Sequence, residues 1–370
     1  MKHADKLCTR RAWLAAAALY LSVAAGLAAE TAGIAATRQF IPANDGRFRY
    51  EGRFDFANQA EPVVIWEGSR ISLDFEGAVL FLRFERPVGQ NFFNAEVDGV
   101  NIVVRAEDGT TPVPGLASGR HHLVLFKRSE AAAGQVKFQG VEIAAGAQAW
   151  APPAPAYRLR MEFLGDSISA GACNEDGAMD QWDDRRTHNN ALSYTALTAG
   201  AFRANYRCIA VSGMGIVTGW TDVKAGEIWD RIYPRPSTAQ ADLKAWRPDV
   251  LLINLGENDD SFTRAHNQPF PAGYVPGYGS LVKAIRAAYP AANIVLLRGG
   301  MYGGAQSAPL RVAWEEAIRQ IEAADAHVSH YVFTHWSKTH PRVSDDRAMA
   351  DELIAWLKQQ PFMSAFLGGS

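Results

Sequence analysis

Pro152, Pro153 and Pro155 lie within Trp150–Tyr157 and divide the chain into halves whose apolar residues follow different periods. Prolines spaced this closely cannot continue a sheet and make a stiff linker. Upstream, from Arg38 to Ile143, apolar and polar residues alternate. Ile71-Ser72-Leu73-Asp74-Phe75-Glu76 does so strictly, as a half-buried strand should. Further runs of this kind are separated by turn signals such as Asp98-Gly99, Asp108-Gly109 and Ser118-Gly119. Short strands at this spacing, with no helical stretch between them, predict a β-sandwich of jelly-roll type over 38–149 and a Pro-rich linker over 150–157. Downstream, over 158–370, strand-like runs (Leu159–Leu164, Tyr206–Val211, Val250–Leu255, Ile294–Leu297, Val328–Phe333) alternate with helical stretches. The helices are expected at Ala191–Ala204, Thr238–Trp246, Tyr278–Tyr289, Pro309–Ala324 and Ser344–Lys358. That alternation predicts an α/β domain, a parallel sheet with helices on both faces.

The first residues belong to neither half. Lys2, Lys6, Arg10 and Arg11 surround the start of an apolar stretch, Ala12 to Leu27, and Ala28 and Ala29 follow. This is the pattern of a signal peptide over 1–29, cleaved near Ala28 or Ala29, and it predicts a secreted or periplasmic protein. No other segment reaches ~18 uninterrupted apolar residues, so no membrane association is expected after cleavage. Lys plus Arg (37) nearly balance Asp plus Glu (39), leaving a net charge of −2 and no global field to attract nucleic acid. A monomer is expected. Cys8 leaves with the signal peptide, and Cys173 and Cys208 remain either as a disulfide or as two buried thiols.

Four short blocks follow strands at one edge of the expected sheet. They are Gly165-Asp166-Ser167-Ile168-Ser169, Val211-Ser212-Gly213-Met214-Gly215, Gly256-Glu257-Asn258-Asp259 and, before the last helix, His340-Pro341. All converge on the crevice outside the carboxyl ends of the strands, where open α/β sheets place ligands. A serine hydroxyl is a poor nucleophile until a base within hydrogen-bond reach takes its proton. A histidine suits that role and can then protonate a leaving alcohol. A tetrahedral intermediate needs fixed donors, and the Ser167 N–H, the Gly213 N–H and the Asn258 side-chain amide would supply three.

Singly, each block also has a plainer reading. Asn258 could form a turn and Gly213 could be an ordinary loop glycine. His340 competes with His335 and His330; it is favoured because it sits in a Thr-His-Pro turn ahead of a helix, whereas His330 borders an apolar strand. Trp182, Trp220 and Trp336 could stack on sugar faces or fill the core. There is no His-Glu-x-x-His, no paired Cys-x-x-Cys and no Gly-x-x-x-x-Gly-Lys, so no metal, nucleotide or other cofactor is expected.

In this order the blocks resemble the SGNH (GDSL-type) hydrolase superfamily. Nearly all of the mature chain resembles carbohydrate esterase family 2, acetyl xylan esterase-like. In the first half the resemblance is carried by Tyr50-Glu51-Gly52-Arg53-Phe54, Gly119-Arg120-His121-His122, Lys127-Arg128-Ser129-Glu130 and Phe138-Gln139-Gly140, and in the second by Asn254-Leu255-Gly256-Glu257-Asn258-Asp259. It implies a jelly roll joined to a hydrolase domain, Ser167 and His340 as catalytic pair, an oxyanion hole of Ser167, Gly213 and Asn258, and removal of O-acetyl groups from polysaccharides without a metal. Two positions depart from the superfamily pattern. Glu257 stands where threonine is common. Trp336-Ser337-Lys338-Thr339 supplies no acid ahead of His340, where the superfamily often has an aspartate. Lys338 would oppose an imidazolium rather than stabilise it. A backbone carbonyl could orient His340 in a Ser-His dyad, as in members of the family, or a distant carboxylate could do so. Asp166 is expected to brace its turn. The acidic insertion Asn174–Asn190 (Glu175, Asp176, Asp180, Asp183, Asp184) reads as a polar loop at the rim, which argues against the long apolar slot of a lipase or thioesterase. A third reading is a glycan-binding protein with a vestigial hydrolase half.

Overall fold

The computed structural model describes residues Arg38 to Leu367; the stretch read as a signal peptide lies outside the described residues. Twelve short strands make up the first half: β1 (Arg38–Pro42), β2 (Arg49–Glu51), β3 (Phe54–Asp55), β4 (Val63–Val64), β5 (Arg70–Glu76), β6 (Leu80–Gly89), β7 (Phe92–Val97), β8 (Val100–Arg105), β9 (Gly109–Pro112), β10 (Arg120–Lys127), β11 (Gly134–Ala144) and β12 (Ala149–Trp150). They pair antiparallel in two six-stranded sheets. One runs β3-β4-β11-β6-β9 with β1 beside β11, and the other β12-β5-β10-β7-β8 with β2 beside β5. The alternation seen in the sequence becomes sidedness here. Ile71, Leu73 and Phe75 of β5 are all buried, with Phe84, Phe93, Leu123 and Phe138, in the core between the sheets.

The second half builds on β13 (Leu159–Gly165), β14 (Ala204–Ala210), β15 (Val250–Asn254), β16 (Asn293–Met301) and β17 (Val328–Ser337). All are parallel, in the order β14-β13-β15-β16-β17. The central strands β15 and β16 carry continuous apolar runs, Val250 to Ile253 and Ile294 to Leu297, as strands covered on both faces do. Helices Tyr274–Ala288 and Ala308–Ala324 pack together and bury Leu281, Ile285, Trp314 and Ile318 in one core. Helices Tyr194–Ala201 and Val343–Leu357 pack together in the other, with Met349, Leu353 and Phe333. The helix expected over 238–246 does not form. Asp242 instead accepts the N–H groups of Lys244 (2.9 Å) and Ala245 (3.1 Å), an Asx turn that competes with helical hydrogen bonds.

The halves share buried contacts. Arg53 of the sandwich pairs with Glu162 of β13 at 3.1 Å, both side chains nearly free of solvent. The Trp66 indole N–H donates to the Ile232 carbonyl (2.7 Å). The Glu67 carboxylate accepts from the N–H groups of Ala131 and Ala210, each at 2.9 Å. Burial pushes Glu67 up to about 7 despite those bonds. Cys173 and Cys208 are buried free thiols, which settles the two alternatives for that pair.

Candidate active site

In a sheet of this order the chain reverses direction between β13 and β15, the switch point where α/β folds open a crevice. Gly165 at the end of β13 pairs with Ala210 on one side and Asn254 on the other. The loops carrying Ser167, Gly213 and Asn258 therefore leave the sheet side by side.

Ser167 opens a single helical turn, Ser167–Ala170. The Asp166 carboxylate caps it by accepting from the Ile168 N–H at 3.0 Å, and Gly171 ends it in the left-handed region (φ 72°). Gly165 is confined from the other side, since a Cβ there would come within 2.1 Å of the Ser169 hydroxyl. Gly213 has φ 81°, and a Cβ there would sit 3.0 Å from that of Trp220.

Asn258 stands in the first turn of helix Glu257–Ala265, where four consecutive side chains each hold another segment. Glu257 accepts from the N–H groups of Gly303 (3.0 Å) and Gly304 (2.8 Å). Asp259 accepts from those of Ile216 (2.8 Å), Val217 (2.8 Å) and Thr218 (3.0 Å), beyond Gly213. Asp260 takes the Ser307 hydroxyl. The Asn258 amide nitrogen donates to Asp166 Oδ2 and to the Met214 carbonyl, both at 3.0 Å. Both of its N–H groups are thus engaged within the protein. Three acidic side chains in a helical first turn also complement the dipole.

His340 Nε2 lies 3.0 Å from Ser167 Oγ, and its Nδ1 lies 2.8 Å from Asp180 Oδ2. His335 faces Asp345 (2.8 Å) and His330 faces Glu322 (2.6 Å), so His340 alone of the three reaches the serine. The acid missing ahead of His340 comes from the insertion, 160 residues earlier in the chain. Burial raises the Asp180 carboxyl, but the hydrogen bond and charge of His340 and the adjacent Arg342 guanidinium outweigh it and hold the group down to about 2. Arg342 Nη2 is 2.8 Å from Asp180 Oδ1, an ion pair by distance though not aligned as a hydrogen bond. Its remaining nitrogens donate to the carbonyls of Gly177 (2.7 Å), Cys173 (3.1 Å) and His340 (2.9 Å), tying the insertion to the histidine turn. Cys173 Sγ, an Asp180 oxygen and a His340 nitrogen lie within 4.8 Å of one another, a set able to hold a metal ion. The guanidinium on the same carboxylate opposes a second cation there. Asp166 is wholly buried, and burial pushes its carboxyl up to about 8.

A cleft of about 540 Å³ lies over these groups, lined by Ser167, Gly213, Asn258 and His340 together with Trp182, Trp220 and Glu130 of the sandwich. Trp182 lies at a shallow tilt to the His340 ring (34°, centroids 5.1 Å apart). Trp220 is 56% exposed, its indole N–H held by Ser261 at 2.9 Å. Trp336, expected with them, is half-buried, edge-on to Tyr302, and does not line the cleft. It stands on β17 beside Gly300, next to a register shift between β16 and β17.

Residues 50–153 match the family described as Carbohydrate esterase 2 N-terminal, and residues 163–355 the GDSL-like Lipase/Acylhydrolase family. The chain is 33% identical over 325 residues to a cellulase/esterase, CelE, of Acetivibrio thermocellus, covering 84% of this chain and 39% of that longer protein. It is 29% identical to an acetylxylan esterase / glucomannan deacetylase of Cellvibrio japonicus, over 80% of this chain and 85% of the relative. Its fold superposes with a TM-score of 0.75 on a family two carbohydrate esterase from Clostridium thermocellum solved with cellohexaose, at 30% identity, covering 84% of this chain and 98% of that one. The chain belongs to the family two carbohydrate esterases, its second domain being of the GDSL-like lipase/acylhydrolase type.

Proposed function

We propose that this chain removes O-acetyl groups from carbohydrates, of the kind carried by acetylated xylan or glucomannan, through an acetyl-enzyme on Ser167. The observation that carries the reading is the unbroken relay Asp180–His340–Ser167, at 2.8 and 3.0 Å. His340 Nε2 takes the hydroxyl proton as Ser167 Oγ attacks the ester carbonyl. The resulting oxyanion is met by the N–H groups of Ser167 and Gly213. Asn258 becomes a third donor by sharing one N–H now placed on Asp166 or Met214. The adduct collapses, the C–O bond to the sugar breaks, and the imidazolium returns its proton to the leaving sugar oxygen. Water then attacks the acetyl-serine, His340 takes its proton, and acetate leaves as the proton returns to Ser167. Asp180 holds the imidazole in the tautomer that can accept at Nε2 and stabilises the imidazolium in between.

Trp182 and Trp220 present aromatic area at the cleft, which suits pyranose faces. The likeness to an acetylxylan esterase / glucomannan deacetylase of Cellvibrio japonicus, and to a Clostridium thermocellum enzyme in complex with cellohexaose, supports a β-linked polysaccharide as partner. We place the enzyme outside the cytoplasm, from the N-terminal pattern of residues 1–29. Acetate release from acetylated xylan, glucomannan and simple acetylated sugars, run beside Ser167→Ala, tests the reading. Equal release by the variant would remove it.

A further inference from the structure

We propose that Glu130, a side chain of the sandwich domain, is a positioning residue for this reaction, holding the Ser212–Gly213 turn and the Trp182 wall in register with Ser167. The inference rests on the esterase reading above and adds a role for the first domain in assembling the site.

Glu130 is fully buried, yet it borders the catalytic cleft. One carboxylate oxygen, Oε2, accepts the Ser212 N–H at 2.9 Å. The next N–H along the chain is that of Gly213, the proposed oxyanion donor. The other oxygen, Oε1, is 3.1 Å from Arg185 Nη1. The Arg185 guanidinium lies 4.7 Å over the Trp182 ring, and that ring lies against His340. A single carboxylate thus touches the donor loop directly and, through Arg185, supports the ring that lies against the base. Burial would raise its pKa, but His188, Ser212 and Arg185 hold it down to about 2, so it stays an anion at working pH.

Glu130 is itself rigidly placed. Lys127 Nζ donates to the carbonyls of Ser129 (2.9 Å) and Glu130 (3.3 Å). Other sandwich residues grip the insertion that carries Asp180 and Trp182. Gln90 donates to the Asp183 carbonyl (2.9 Å), Asn94 to the Asn189 side chain (3.2 Å), and Arg128 to the carbonyls of Arg186 (2.7 Å) and His188 (3.3 Å). Acid, aromatic wall and oxyanion loop are therefore all referenced to the first domain.

Displacing one oxyanion donor typically lowers kcat by about 10²–10³. In Glu130→Gln the single remaining acceptor can serve Ser212 or Arg185 but not both. We expect kcat on 4-nitrophenyl acetate to fall about 10- to 100-fold per active site, with KM within about threefold. Active sites are counted with a phosphonate ester, which forms a tetrahedral adduct on Ser167, and its rate of reaction should fall in parallel with kcat. A role in domain docking alone would lower the melting temperature and the number of titrated sites while leaving kcat per site at the wild-type value; that result overturns the proposal. If Glu130→Gln does not fold, Glu130→Asp decides. It keeps the charge but is one methylene short of spanning both partners, so reduced kcat at unchanged KM supports the role and wild-type kcat ends it. A wild-type chain that releases no acetate would remove the esterase reading itself, whereas Ser167-dependent activity with fully active Glu130 variants removes only the role of Glu130.

Discussion

His340 Nδ1 and Asp180 Oδ2 stand 2.8 Å apart although 160 residues separate them in the chain. A carboxylate from the loop after the first strand of the parallel sheet thus meets the histidine, and Arg342 fastens the two together. Asp180→Asn should therefore leave the fold intact and lower kcat by about 10²- to 10⁴-fold, by favouring the wrong imidazole tautomer. Because Asp180 is held down to about 2, the wild-type kcat/KM profile should show no inflection from it above about pH 3. An Asp180→Asn enzyme with wild-type kcat would mean that His340 works as half of a dyad.

Asn258→Ala should reduce kcat by about 10²–10³, the cost of one lost oxyanion donor. The same change strips Asp166 of its 3.0 Å partner, so a small fall in melting temperature should accompany it. A wild-type rate would show that the amide serves only to brace Met214 and Asp166.

Asp166 gives a pH signature of its own. Its folded pKa, pushed up by burial to about 8, lies above the roughly 3.9 of an unfolded chain. The folded state therefore holds a proton that the unfolded state releases. The stability this group contributes is complete below about pH 4 and declines as pH rises to about 8. Denaturant unfolding of wild type and Asp166→Asn across that range should show the wild type losing ground steadily against the variant, and a constant difference would contradict it.

The aromatic lining separates polymer from small esters. Trp182→Ala and Trp220→Ala should raise KM on acetylated polysaccharide about 5- to 30-fold, the worth of one or two kcal/mol of stacking. Trp220→Ala should leave 4-nitrophenyl acetate nearly unaffected, while Trp182→Ala should also lower its kcat, since that ring covers His340. Trp336→Phe should change neither, because that side chain faces Tyr302 away from the lining.

Much of this was legible in the residues, and the exceptions have causes. Period-two runs such as that of β5 marked sandwich strands, whose inner face is buried in the core between the sheets. Apolar runs marked the parallel strands, since both faces are dry. The Ser167, Gly213, Asn258 and His340 blocks could be found because each follows a strand end. The Thr238–Trp246 stretch has helical composition but lost its helix to an Asx turn at Asp242. Asp180 was visible only as one of several acids in a polar insertion; the choice among them depends on Arg342 and the sandwich, which bring that one side chain to the imidazole. Glu130 stands in the run Lys127-Arg128-Ser129-Glu130, but nothing local says that a carboxylate after a β-strand will enter another domain's cleft. Trp336 is not among the side chains lining the cleft; it meets Tyr302 edge-on, a contact that composition does not reveal.

The run Glu257-Asn258-Asp259-Asp260 reaches the 303–304 turn, the serine and glycine loops, the 216–218 segment and Ser307 from one turn of helix. Such a hub indexes its neighbours mainly through their main-chain groups, with the Asp166 carboxylate and the Ser307 hydroxyl as its two side-chain partners, so it is largely indifferent to the other side chains those loops display. Substrate range can drift by changing the rim while the reacting atoms keep their places.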